Sequence, residues 1–250
     1  MSLLDATPQP PPPTDVVKAA LSAETPQEIE LVRTWLAAAT DVHHLSNMLG
    51  RLSYMISTAK VDLARLAIAR GADPNVRGYN ERTPLHIAVR CNTIATPAFV
   101  ALLLGAGVDV NKGTPSGETP LGNAIMGFMC CVDEESRRRA FQSVTMLLRA
   151  GASIDRADFN KSAEEELAYW ERYSPKYIAR DEPFRVLTAL VRGVRAAGSW
   201  RAYERRFHRG TLPKFRSLVV RGRATSSDAL LVALAHLPHR PFRAVLAFGP

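Results

Sequence analysis

Apolar residues in the first third of the chain recur at helical spacing. Val16, Val17, Ala20 and Leu21 are followed, beyond Thr25-Pro26, by Ile29, Val32 and Leu36 at steps of three and four. This predicts helical structure from Asp15 to about Ala39, interrupted at the proline. Thr25-Pro26-Gln27-Glu28 supplies a capping hydroxyl, a first-turn proline and an N-terminal acid. A second apolar run, Val61 to Ile68, closes at Gly71 and passes into Asp73-Pro74-Asn75, a helix stop followed by a turn.

The same stop recurs. Gly71 matches Gly107 in Gly105-Ala106-Gly107-Val108-Asp109-Val110-Asn111, and that matches Gly151 before Ala152-Ser153-Ile154-Asp155, at intervals of 36 and 44 residues. From each glycine to the next helix start the distance is nearly constant: 12 to Thr83, 12 to Thr119 and 11 to Ser162. The loop length is therefore fixed, and the extra residues lie within the helical pairs, near Cys91–Pro97 and Met129–Arg139. In the second of these, Glu134 with Arg138 and Glu135 with Arg139 stand at a spacing that supports an exposed helix. A degenerate further unit runs from Phe159. Ser162 caps an acidic first turn, Glu164 to Glu166; Phe184, Leu187, Ala189, Leu190 and Val191 supply the second helix, and Gly198 ends it.

The helix starts carry a signature. Thr83-Pro84-Leu85-His86 followed by Ala88, and its eroded form Thr119-Pro120-Leu121-Gly122-Asn123-Ala124, resemble ankyrin repeats, whose period is about 33 residues. Pro84 suits a first helical turn, where its missing N–H is no loss. Thr83 is its N-cap, and His86 is read as a structural ring bridging adjacent loops rather than a catalytic or metal-binding group. The resemblance covers residues 45–198 and implies an all-α solenoid of about four helix pairs with short hairpin loops. Residues 1–14 form a proline-rich tail and 15–44 an N-terminal helical cap, which such arrays need. Residues 199–250 form a basic helical extension. Two departures stand out: Glu81 occupies the place that Gly117 keeps before the next signature, and Gly122 replaces the histidine, so that the loops of the later repeat are expected to be less tightly tied.

Charge separates the extension from the rest. Residues 1–200 balance 22 Lys and Arg against 22 Asp and Glu, and residues 201–250 carry 10 basic residues against Glu204 and Asp228, the whole net charge of +8. Trp200, Tyr203 and Phe207 form an apolar stripe on a basic helix, and shorter helices follow around Leu212–Val219, Ala229–Ala235 and Pro241–Phe248. This order resembles the SOCS box that follows ankyrin repeats in substrate receptors of cullin-type ubiquitin ligases. In that resemblance Leu237, Pro238, Phe242, Val245, Leu246 and Phe248 face the cullin, and Phe215, Leu218 and Val219 the adaptor. The tail also resembles those of uncharacterised algal and protist ankyrin proteins. Arg205, Arg206 and Arg209 allow a third reading, contact with phosphates of a nucleic acid or an anionic membrane.

Chemistry is sparse. The sequence holds no G-x-S-x-G elbow, phosphate-binding loop or metal-spaced His/Cys set, so no enzyme, cofactor or metal is expected. Three cysteines with no C-x-x-C spacing indicate a reducing compartment. No apolar stretch approaches 18 residues, and the first thirty lack the pattern of a secretory or mitochondrial leader. Cytoplasm or nucleus is the expected setting. The resemblance implies a protein-interaction scaffold that binds a partner protein through its hairpins and concave face. The positions expected to be exposed there are Arg77, Tyr79, Asn80, Arg82, Arg90, Asn92, Lys112, Ser116, Glu118 and Met126.

Overall fold

The computed structural model describes residues 11–155, 162–173 and 182–210, side chains excepted at 182 and 207–210. The chain divides into two compact units, 1–162 and 163–250. Among the described residues there are eleven α-helices, one 3-10 turn and no strand.

The first unit contains α1 (Thr14–Ser22), α2 (Pro26–Ala38), α3 (Val42–Leu52), α4 (Thr58–Ala69), α5 (Pro84–Cys91), α6 (Thr96–Gly105), α7 (Pro120–Met129) and α8 (Glu134–Arg149). Consecutive helices pair, and the pairs stack: α1, α3, α5 and α7 pack in sequence as one layer, and α2, α4, α6 and α8 as the other. Their facing sides are the expected apolar positions. Leu45, Leu49 and Leu52 of α3, Leu63, Ala64 and Ala67 of α4, Leu85 and Ala88 of α5, and Phe99 and Leu103 of α6 are fully buried.

The break at Pro26 is where expected. Thr25 N–H donates to Glu28 Oε2 at 3.0 Å and Glu28 N–H to Thr25 Oγ1 at 3.2 Å, a reciprocal cap. This network, together with Ser22, holds the Glu28 carboxyl down at about 2. The second-layer helices end alike. After α4, α6 and α8, Gly71, Gly107 and Gly151 take φ of 99°, 80° and 92°. The next amide then reaches back to the helix, as Ala72 N to Ala67 O at 3.0 Å and Ala152 N to Leu147 O at 2.9 Å. The turn imposes this left-handed backbone, in which a side chain would be strained, so the recurring glycine is a requirement of the turn.

The 129–139 insertion lengthens α8 at its start. Asp133 caps it, accepting from Ser136 N at 2.8 Å. One expected pair, Glu134 with Arg138, does not form: Glu135 reaches both Arg138 at 3.6 Å and Arg139 at 3.4 Å. Gly127 on α7 permits a close approach, since a Cβ there would lie 3.0 Å from Val89 O and 3.1 Å from Asn92 Nδ2.

The second unit holds α9 (Ala163–Tyr173), α10 (Glu182–Ala197) and α11 (Trp200–Gly210), with α10 packed against both others. Phe184, Leu187, Leu190 and Val191 are buried as expected, whereas Ala189 is exposed. The acidic first turn of α9 reaches across: Glu164 pairs with Arg192 at 3.6 Å and with Arg195, while Glu171 pairs with Arg192 at 3.1 Å. Tyr203 stacks at a tilt on Trp200, ring centroids 5.8 Å apart, and its ring covers Gly193. Residues 211–250, on which the SOCS-box reading and the later helices fall, lie outside the described residues.

Candidate functional site

The hairpins after α4 and α6 share one geometry. Asn75 N–H donates to Asp73 Oδ1 at 2.8 Å, and 36 residues on Asn111 N–H donates to Asp109 Oδ1 at 2.9 Å. Each hairpin closes on itself, Gly78 N to Arg82 O and Thr114 N to Glu118 O, both at 2.9 Å. The two asparagines then hand the chain on. Asn75 Oδ1 accepts from Asp109 N at 2.7 Å, and Asn111 Oδ1 from Ser153 N at 2.8 Å, so each hairpin is hydrogen-bonded to the next.

Charged groups reinforce this ladder. Arg82 donates from Nε and Nη2 to the two carboxylate oxygens of Glu118, each at 2.7 Å. Glu118 also accepts from Asn123 Nδ2 at 3.3 Å. The bidentate guanidinium holds the Glu118 carboxyl below its usual range. Arg77 donates forward to Gly113 O at 3.1 Å and Lys112 back to Asn75 O at 2.8 Å, two further links between the same hairpins.

His86 is the centre of the array's tying. Its Nδ1 accepts from Thr83 N–H at 3.2 Å and lies 2.8 Å from Thr83 Oγ1, and its Nε2 lies 3.2 Å from Glu118 O. Only the neutral ring with its proton on Nε2 satisfies both ends, because a proton on Nδ1 would face the Thr83 N–H. Full burial, with Arg82 and Arg77 nearby, pushes its pKa down to about 4. The bridging role read from the sequence is what the ring performs.

The expected contact residues therefore divide. Glu118 is buried, not exposed: its carboxylate is committed to Arg82 and Asn123, which removes it from the contact surface. Asn92 caps α5 with φ 47° and donates to Gly127 O at 2.9 Å, and it lies in the turn between α5 and α6 rather than on a hairpin. Arg82, Arg77 and Lys112 are partly engaged in the ladder. Tyr79, Asn80, Arg90 and Ser116 are exposed, and Met126 is half-buried on α7. Arg205 and Arg206 are exposed on α11, while the Arg209 side chain, Leu237, Pro238, Phe242 and Leu246 lie outside the described residues.

Beside these residues is a groove of about 420 Å³ that the sequence reading missed. It is lined by Leu21, Asn47, Gly50, Arg51 and Tyr54 from the first helices, by Val76, Gly78 and Tyr79 from the hairpin, and by Ile87. Gly50, near the end of α3, puts no side chain into this space, and a Cβ there would meet only Val76 Cγ1, at 3.9 Å. The local sequence pattern carries no signal for it. A buried lysine holds two of its walls: Lys60 Nζ donates to Leu21 O and, at 2.8 Å, to Tyr54 O. Burial pushes the Lys60 ammonium below its ordinary pKa.

The opposite edge differs. The turns between paired helices expose Met55, Ile94 and Val132, at 74%, 82% and 97%. They are stitched together by Thr93 Oγ1 to Ile56 O at 2.7 Å and Asn92 Nδ2 to Cys131 Sγ at 3.3 Å. Among the described residues no His, Cys, Asp and Glu cluster could hold a metal, and no helix is long and apolar enough to cross a membrane.

Comparison with known proteins agrees with this geometry. The family model for ankyrin repeats matches in three copies over residues 52–158. A potassium channel, KOR1 of Oryza sativa subsp. japonica, is similar at 31% identity over 121 residues, 48% of this chain. The match spans 12% of that channel's length.

Proposed function

We propose that the ankyrin repeats of residues 52–158 act as a protein-interaction scaffold, presenting their hairpins and first-layer helices to a partner protein. Ankyrin repeats are typically a non-enzymatic interaction module. The observation that carries the reading is a division of labour within the hairpins. Inward polar groups are used up in the Asn75, Asn111, His86 and Arg82–Glu118 links, while Tyr79, at 77% exposure, and Asn80, Arg90 and Ser116 face solvent. A display surface held in one conformation loses little entropy on binding. Tyrosine and arginine are also the side chains that most often dominate interface energies. A cytosolic or nuclear setting belongs to the same proposal, with Cys91, Cys130 and Cys131 as free thiols.

Site-directed photo-crosslinking tests it. A photoreactive residue at position 79 captures the partner, and one at position 94, on the opposite edge, does not. Capture from 94 alone would sink the proposal.

A further inference from the structure

The groove has a chemistry that the repeat architecture does not dictate. Its walls are Leu21, Tyr54, Val76, Tyr79 and Ile87, apolar or aromatic, and Arg51 is its single charged lining residue. Arg51 is half-buried and has no ion-pair or hydrogen-bond partner among the described residues. No carboxylate lines the groove. The nearest acid on the hairpin, Glu81, stands 3.8 Å from Arg77.

We propose that this groove takes an acidic peptide segment of the partner protein, with a leucine or aromatic side chain seated between Tyr54 and Tyr79 and a flanking carboxylate on Arg51. This rests on the reading of the hairpin face as the interaction surface. The volume lies within the range of ligand clefts, about 300–1,000 Å³, and suits one anchor side chain with its backbone. An unpaired guanidinium beside an apolar floor fits a carboxylate next to an anchor, because the fork geometry binds a carboxylate in two places. A nucleic acid fits less well, since phosphate binding draws on many cations along a strand and only one lines this groove. Lys60 acts here as a positioning residue, fixing the backbones of Leu21 and Tyr54.

The test is selection of a random dodecapeptide library, displayed on phage, against the full chain. Enriched peptides carry Asp or Glu within two positions of Leu, Phe or Tyr. A fluorescein-labelled synthetic copy then binds with an affinity that Arg51→Glu lowers about tenfold or more. Gly50→Leu abolishes binding by filling the floor. A Cβ at that position meets only Val76 Cγ1, at 3.9 Å, so the fold accommodates it. Ile94→Ser, on the opposite edge, changes nothing. The inference is overturned if no peptide is enriched, if enriched peptides lack acids, if Arg51→Glu leaves affinity unchanged, or if single-stranded RNA binds the same groove more tightly than the peptide. Neutral peptides that still depend on Tyr79 would sink the acidic preference and leave the interaction face standing. Peptides indifferent to every variant on this face would remove both.

Discussion

Acid should loosen this array through His86 before any carboxylate takes part. The ring is fully buried and neutral, its pKa lowered from an ordinary 6.5 to about 4. As pH falls below 6.5 the unfolded chain takes up the proton first, so stability drops until the folded ring also protonates near 4. One pH unit within that window corresponds to about 1.4 kcal/mol. Between pH 7 and 5 the loss attributable to His86 is thus about 2 kcal/mol, and it levels off at about 3 kcal/mol below pH 4. The carboxyls of Glu28, Asp41, Glu118 and Asp133 are all held below their ordinary values, so they stay ionised at pH 5 and lose their contribution only at lower pH. The assay is urea unfolding followed by circular dichroism at pH 7 and pH 5, on the wild type and on His86→Gln. The variant starts lower at pH 7 because it loses the ring's links to Thr83 and Glu118. Between the two pH values it should lose about 2 kcal/mol less than the wild type. Equal losses in the two proteins would refute the assignment of His86 as the buried neutral bridge.

Other changes follow from the same contacts. Glu118→Ala leaves Arg82 and Asn123 without their acceptor and should cost about 2–4 kcal/mol in urea unfolding, with Glu118→Gln intermediate. Glu81, with φ 57°, sits in the left-handed region, so Glu81→Gly should stabilise by about 0.5–1 kcal/mol; a lower midpoint would contradict that account. In the second unit, a Cβ added by Gly193→Ala would lie 2.5 Å from Tyr203 Cε2. Near-ultraviolet dichroism should then show a displaced aromatic environment, with about 1–3 kcal/mol lost.

Much of this was legible in the sequence, for reasons specific residues make plain. Gly71, Gly107 and Gly151 mark the repeats because the turn demands a positive φ, and such a demand shows in residue type. Thr25 and Glu28 mark a helix start because capping needs a hydroxyl and a carboxylate three apart. His86 was readable from its motif. Glu118 was not, because a glutamate beside a signature threonine looks solvent-facing until the fold brings Arg82, 36 residues earlier, within 2.7 Å. Lys60 was hidden in the same way: the carbonyls that allow its burial belong to Leu21 and Tyr54, and nothing in the local pattern names them. The groove was hidden too, because its walls come from α1, α3 and the turn after it, the hairpin and α5, which only the fold brings together.

Binding of a partner protein at the hairpin and first-layer face is best measured by calorimetry, as the affinity of a cross-linked partner for surface variants of the full chain. The double variant Tyr79→Ala, Arg90→Glu should weaken binding by about 2 kcal/mol or more, while the double variant Ile94→Ser, Val132→Ser on the opposite edge should leave it within about 0.5 kcal/mol. The reverse pattern, with binding lost at Ile94 and Val132 and kept at Tyr79 and Arg90, would contradict it.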